Sequence, residues 1–113
     1  MLIGILPDAS HAETLLNNLS EADFDLAQVS VLMKDVKTRN AIAKDAGPFK
    51  GANPKNVAGM LVKAGLPQAQ AKPYSDAVAQ GKVLVAIVSP AQSQPAAQEM
   101  LQDHSAELIQ ALG

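Results

Sequence analysis

Lys82-Val83-Leu84-Val85-Ala86-Ile87-Val88-Ser89 is the stretch on which the fold turns. Its six consecutive apolar residues, four of them β-branched, suit a buried strand and fall far short of a membrane span. An unbroken apolar run offers no polar face to water, so it predicts a central strand covered on both faces. Ser89-Pro90 closes it. The chain opens on a second such run, Leu2-Ile3-Gly4-Ile5-Leu6, stopped by the turn signal Pro7-Asp8. The two runs are expected to lie side by side at the centre of one sheet.

Between and after these strands the apolar period changes to that of helices. Ser10-His11-Ala12-Glu13 has the form of a capping box, in which a serine hydroxyl and a glutamate carboxylate satisfy free amides at a helix start. Ala12, Leu15, Leu16, Leu19 and Ala22 then share one helical face. An acidic connector around Phe24 and Asp25 leads to Gln28-Val29-Ser30-Val31-Leu32-Met33, a second strand with Val29, Val31 and Met33 on one side. Asp35 is placed to cap a helix running to about Ala46, and Gly47 to Asn53 reads as a loop. Asn53-Pro54 opens a helix with Val57, Met60, Leu61 and Ala64 inward, ended by Gly65. The next helix, from about Pro67 to Gln80, has Ala71, Tyr74, Ala77 and Val78 inward, and Pro73 is expected to kink it or split it into two short turns. A last helix from about Ser93 presents Ala97, Met100, Leu101 and His104. Residues 106–112 fit either a continuation of that helix or a fourth strand.

With a fourth strand the order is β-α-β, helical insertion, β-α-β. The expected fold class is therefore α+β, a ferredoxin-like antiparallel sheet with helices on one face. All 113 residues form one expected domain, with a first βαβ unit over 1–34, a helical insertion over 35–80 and a second half over 81–113. Helices on one face leave the other sheet face bare, and a monomer rarely keeps a large aliphatic surface in water, so a homodimer is expected.

Composition excludes several kinds of chemistry. Apolar residues are 48% of the chain, but twenty are alanine, so the core is small and aliphatic. Phe24, Phe49 and Tyr74 are the only aromatics, too few for an aromatic cage or a base-stacking platform. Cysteine is absent, which removes disulfides, thiolate catalysis and cysteine-ligated metals together. His11 and His104 stand 93 positions apart with no short-spaced acidic partner set, so no metal site is expected. Ser10, Ser75 and Ser89 read as caps and turn residues, and Asp23 and Asp25 as solvated connector residues, because neither group has an oriented base or ligand set around it. No catalytic residue and no cofactor are expected.

Nine basic residues oppose eleven acidic ones, and the charge is segmented. Residues 1–33 hold five acids and no base. Residues 34–72 hold Lys34, Lys37, Arg39, Lys44, Lys50, Lys55, Lys63 and Lys72 against Asp35 and Asp45. The near-balanced total argues against a nucleic-acid binder, and ordinary solvated lysines account for the middle segment. MLIGIL at the start lacks the basic flank and the length of a signal peptide, so a cytoplasmic protein without membrane insertion is expected.

Two stretches together carry a resemblance. Val29-Ser30-Val31-Leu32-Met33-Lys34-Asp35 resembles the end of the first βαβ unit in the bacterial general stress protein family, with its heat-induced and low-temperature-induced members. Ala64-Gly65-Leu66-Pro67, Tyr74 and Gly81-Lys82-Val83-Leu84-Val85-Ala86-Ile87 resemble its second half. The chain departs from the family in two respects: residues 36–64 lack its long glycine-rich apolar segment, and Pro73 stands in a helix that is usually unbroken. The resemblance implies a stress-linked accessory protein and offers no catalytic residues to carry over. The residues and the resemblance together give a non-catalytic accessory or interaction module, self-associating or bound to an unidentified protein partner. The alternative is a regulatory domain that binds a small ligand between helices and sheet.

Overall fold

The computed structural model describes residues 1–112. Strand β1 (Leu2–Leu6) leads into helix α1 (Ala9–Glu21), strand β2 (Val29–Leu32) and helix α2 (Val36–Ile42). A one-turn 3-10 segment, Pro54–Asn56, runs into helix α3 (Val57–Lys63), followed by helix α4 (Gln68–Ala79). Strand β3 (Val83–Ile87), helix α5 (Gln94–Asp103) and strand β4 (Glu107–Ala111) complete the chain. The four strands form one sheet in the order β2-β3-β1-β4, each neighbouring pair antiparallel. This is the α+β, ferredoxin-like arrangement expected from the sequence, with β1 and β3 central and Gly4 opposite Val85. Of the two readings left open for residues 106–112, the strand is the one formed.

The expectation that helices cover one face is corrected. Period 2 along the central strands sends Leu2, Leu6, Val83, Val85 and Ile87 to one face, where they pack with Leu15, Leu19, Ala97 and Leu101 of α1 and α5. It sends Ile3, Ile5, Leu84 and Ala86 to the other, where Val57, Leu61, Ala71, Tyr74 and Val78 of α3 and α4 cover them together with Phe49. The two crossover helices share a side, as such a fold requires, and the insertion between β2 and β3 is long enough to carry two more helices across the second side. That burial is what makes β3 apolar on both faces. It also removes the bare face on which dimerisation was expected.

Local signals fared unevenly. Asp35 caps α2 by accepting from the Thr38 amide at 3.2 Å, although α2 ends at Ile42, short of Ala46. Asn53 caps the 3-10 turn before α3. At α1 the capping residue is Asp8, which accepts from the His11 amide at 3.0 Å, and Ser10 lies inside the first turn, so the Ser10 box is corrected. Helix α4 runs unbroken through Pro73. Pro73 and Ala69 are both exposed, so the carbonyl that loses its partner is in reach of water.

Candidate functional site

The two edges of the sheet are built differently. Alongside β2 lies the segment that follows α2. Gly47 donates its amide to the Ala27 carbonyl at 3.0 Å. Ser30, 3% exposed, donates its hydroxyl to the Ala46 carbonyl at 2.7 Å and accepts from the Phe49 amide at 2.8 Å. Gly47 has φ +80, and a Cβ there would stand 2.5 Å from Ser30 Oγ, so only glycine fits. The two oxygens of the Asp45 carboxylate share the Gly51 amide proton, one of them also accepts from Arg39 at 3.3 Å, and those bonds hold its carboxyl below the ordinary carboxylate range. The β2 edge is thus shielded by its own chain.

At the opposite edge, no element among the described residues pairs with the outer side of β4. Leu112 and Met1 exchange backbone bonds at 2.7 and 3.1 Å. Antiparallel alternation then makes Ile3 and Gln110 the next bonded pair and turns the N–H and C=O groups of Ile109 and Ala111 away from the sheet. Nearer its start β4 is bulged: Gln110 opposes Ile3 and Glu107 opposes Ile5, so three steps on β4 face two on β1. Leu108 absorbs the extra residue at φ +54, a left-handed conformation that a leucine rarely adopts.

Tyr74 of α4 fixes this bulge. Its ring is 2% exposed, and its hydroxyl donates to the Leu108 carbonyl, with Gln110 Oε1 3.3 Å away. Burial pushes the Tyr74 hydroxyl pKa above its ordinary value, which keeps the group a donor. Gln110 Nε2 in turn donates to Gln70 Oε1 at 2.9 Å. Leu108 remains 43% exposed. Beside it a hollow of about 380 Å³ opens against Ala69, Pro73 and Ile109, and a second of about 390 Å³ lies across the sheet against Gln94, Pro95 and Gln98. The one acid of the strand, Glu107, pairs with Lys82 at 3.6 Å. The edge therefore offers free backbone groups, neutral amides and one exposed leucine, which are the means of recognising another polypeptide strand.

A separate groove of about 600 Å³ lies between α1, the 3-10 turn Leu26–Gln28 and the end of α2. Leu16, Leu26, Val29 and Ile42 form its apolar wall, and Asn17 and Asn40 its polar one.

The side chains singled out by sequence are not brought together. His11 Nδ1 meets Asp8 at 2.8 Å on the surface. His104 sits at the end of α5 with Nδ1 2.7 Å from the Met100 carbonyl and Nε2 2.9 Å from the Asn18 amide nitrogen. The amide donates to Nε2, so the ring proton is on Nδ1. Asp25 caps the turn at Leu26–Gln28 through the Ala27 amide. Among the described residues no group of three or more His, Cys, Asp or Glu side chains is placed to hold a metal ion. No helix there is long and apolar enough to cross a membrane. The bulge at Leu108 and its clasp by Tyr74 had no signal in the sequence, because Glu107-Leu108-Ile109-Gln110-Ala111 carries no glycine where the left-handed residue falls.

No family model, curated protein or solved structure matches the chain.

Proposed function

We propose that this chain is a non-catalytic accessory module of the cytoplasm that recognises a polypeptide partner through the open β4 edge. One observation carries the reading: the fold shields the β2 edge with a cross-tied loop and leaves at the β4 edge an exposed leucine held in a conformation glycine would adopt more easily. Strain of this kind, of order 1–3 kcal/mol, is kept where the surrounding structure imposes it and is concentrated at working sites. The resemblance of residues 29–35, 64–67 and 81–87 to the general stress proteins supports a stress-linked setting. Selection from a library of neutral extended peptides, with the protein at about 1 μM, tests the edge. Binders are expected to lose affinity about tenfold or more on Leu108→Gly, since a single anchoring side chain is worth that much at a small interface. A library without any Leu108-dependent binder counts against a peptide partner.

The groove beside α2 favours a second reading, a small-ligand regulatory domain, since about 600 Å³ lies within the size range of ligand pockets. A thermal-shift screen against metabolites is its test. A stabilising compound whose effect is lost in Leu26→Arg, at an exposed wall residue, would establish this reading.

A further inference from the structure

We infer that the partner of the β4 edge is a second copy of this chain, joined strand to strand about a two-fold axis through Gln110. The inference rests on the reading of β4 as an interaction edge.

The first argument is closure. Edge pairing between copies could join β2 to β4, which repeats without limit, or β4 to β4, which stops at two. The segment tied down by the Gly47 and Ser30 bonds covers β2, whose four residues are all buried, so only the self-limiting mode is open. The β4 edge also lacks lysine and proline, the residues that usually block such pairing.

The second argument is self-complementarity, which a two-fold contact demands. The outward backbone groups belong to Ile109 and Ala111. An antiparallel register that sets Ile109 against Ala111 of the second copy lets each supply both bonds. Gln110 then faces Gln110 of the second copy in the closer, non-bonded position. A glutamine amide donates and accepts, so it can pair with its own copy. The same register sets Leu108 against Leu112 of the second copy, one apolar pair on each side of the axis. Charge does not oppose the approach, because Glu107 is already neutralised by Lys82. The bulge limits the ladder to a few residues, so the interface is small and the dimer is expected to dissociate in the range of about 10–100 μM.

Sedimentation velocity over about 5–500 μM is the first measurement, and the expected result is a reversible shift from 11.7 kDa toward twice that mass. Leu108→Gly removes the side chain while suiting φ +54, so the variant stays folded and its dissociation constant is expected to rise about tenfold. The chain has no cysteine, so Gln110→Cys introduces a single thiol at the axis. Mild oxidation should convert that variant to a covalent dimer many times faster than Gln80→Cys, an exposed control just past the end of α4. A monomer at about 500 μM overturns the inference, as does a dimer indifferent to Leu108→Gly or cross-linking equally at both cysteines. A monomer that still selects Leu108-dependent peptides overturns the second copy as partner and leaves the edge reading standing. A monomer that selects none overturns both.

Discussion

Gly47 shows how one residue without a side chain decides a sheet edge. Its positive φ and its approach to Ser30 let the segment after α2 lie flat along β2, where Phe49 can reach the second core. Gly47→Ala must force a Cβ into backbone atoms of Val29 and Ser30 at 2.6 Å, on top of the left-handed cost. A loss of about 2–4 kcal/mol is expected, read as a lower denaturant midpoint with the slope kept. A midpoint within error of the wild type would mean that the loop does not hold this position. Glycine and proline at 47 and 48 were legible as a break in the chain. That the break docks on β2 through Ser30 was not, because the docking partner lies seventeen positions upstream and looks like an ordinary strand residue.

Short elements depend on their ends, and α2 is the clearest case. Asp35 accepts from both the side chain and the amide of Thr38, and these bonds hold its carboxyl below the ordinary carboxylate range. A depressed folded-state pKa contributes stability that is complete above the unfolded value and lost as pH falls through the folded one. The Thr38 amide resonance should therefore titrate with a midpoint below that of an ordinary aspartate, and the transition should vanish in Asp35→Asn, which caps without titrating. A midpoint at or above that of an ordinary aspartate would show that the cap is not formed in solution. Capping by Asp35 and Asn53 was legible because each rule involves only a few neighbouring residues. At α1 the same kind of rule points to Ser10, two positions inside the cap that Asp8 forms. The long apolar run of β3 was legible for another reason: it is buried on both faces whatever covers them. Val85 and Ile87 are 0% and 1% exposed, so aspartate at either position buries an unpaired charge. Loss of the cooperative thermal transition is expected for both variants, and a retained sharp transition would displace β3 from the centre of the sheet.

At the scale of the whole molecule, periodicity told which side of each helix is apolar but not which side of the sheet receives it. The sequence alone therefore places the insertion helices on the side of the crossover helices, whereas Val57, Leu61 and Tyr74 close the opposite layer. The same nonlocality hid the contrast between the two edges, on which the functional reading depends. It also gives the middle basic segment a location: Lys37 and Arg39 lie on α2, and Lys44 and Lys50 on the loop beside β2, away from the neutral β4 edge. Arg39 is already engaged by Asp45, and no aromatic side chain is interleaved with these cations except the buried Phe49. Binding to a polyanion would rest on Coulomb attraction alone and must weaken steeply with salt. Labelled DNA, RNA and anionic vesicles titrated at about 150 mM salt are expected to show no association, because screening at that ionic strength acts within about 8 Å and the acids of residues 1–33 repel the same ligands. Submicromolar affinity for any of them would overturn this expectation and make Lys37, Arg39, Lys44 and Lys50 the residues to replace. Because those cations sit at the shielded edge, such binding should leave the proposed self-association through Leu108 and Gln110 unchanged. A polyanion that dissolved the dimer would instead place its site at β4.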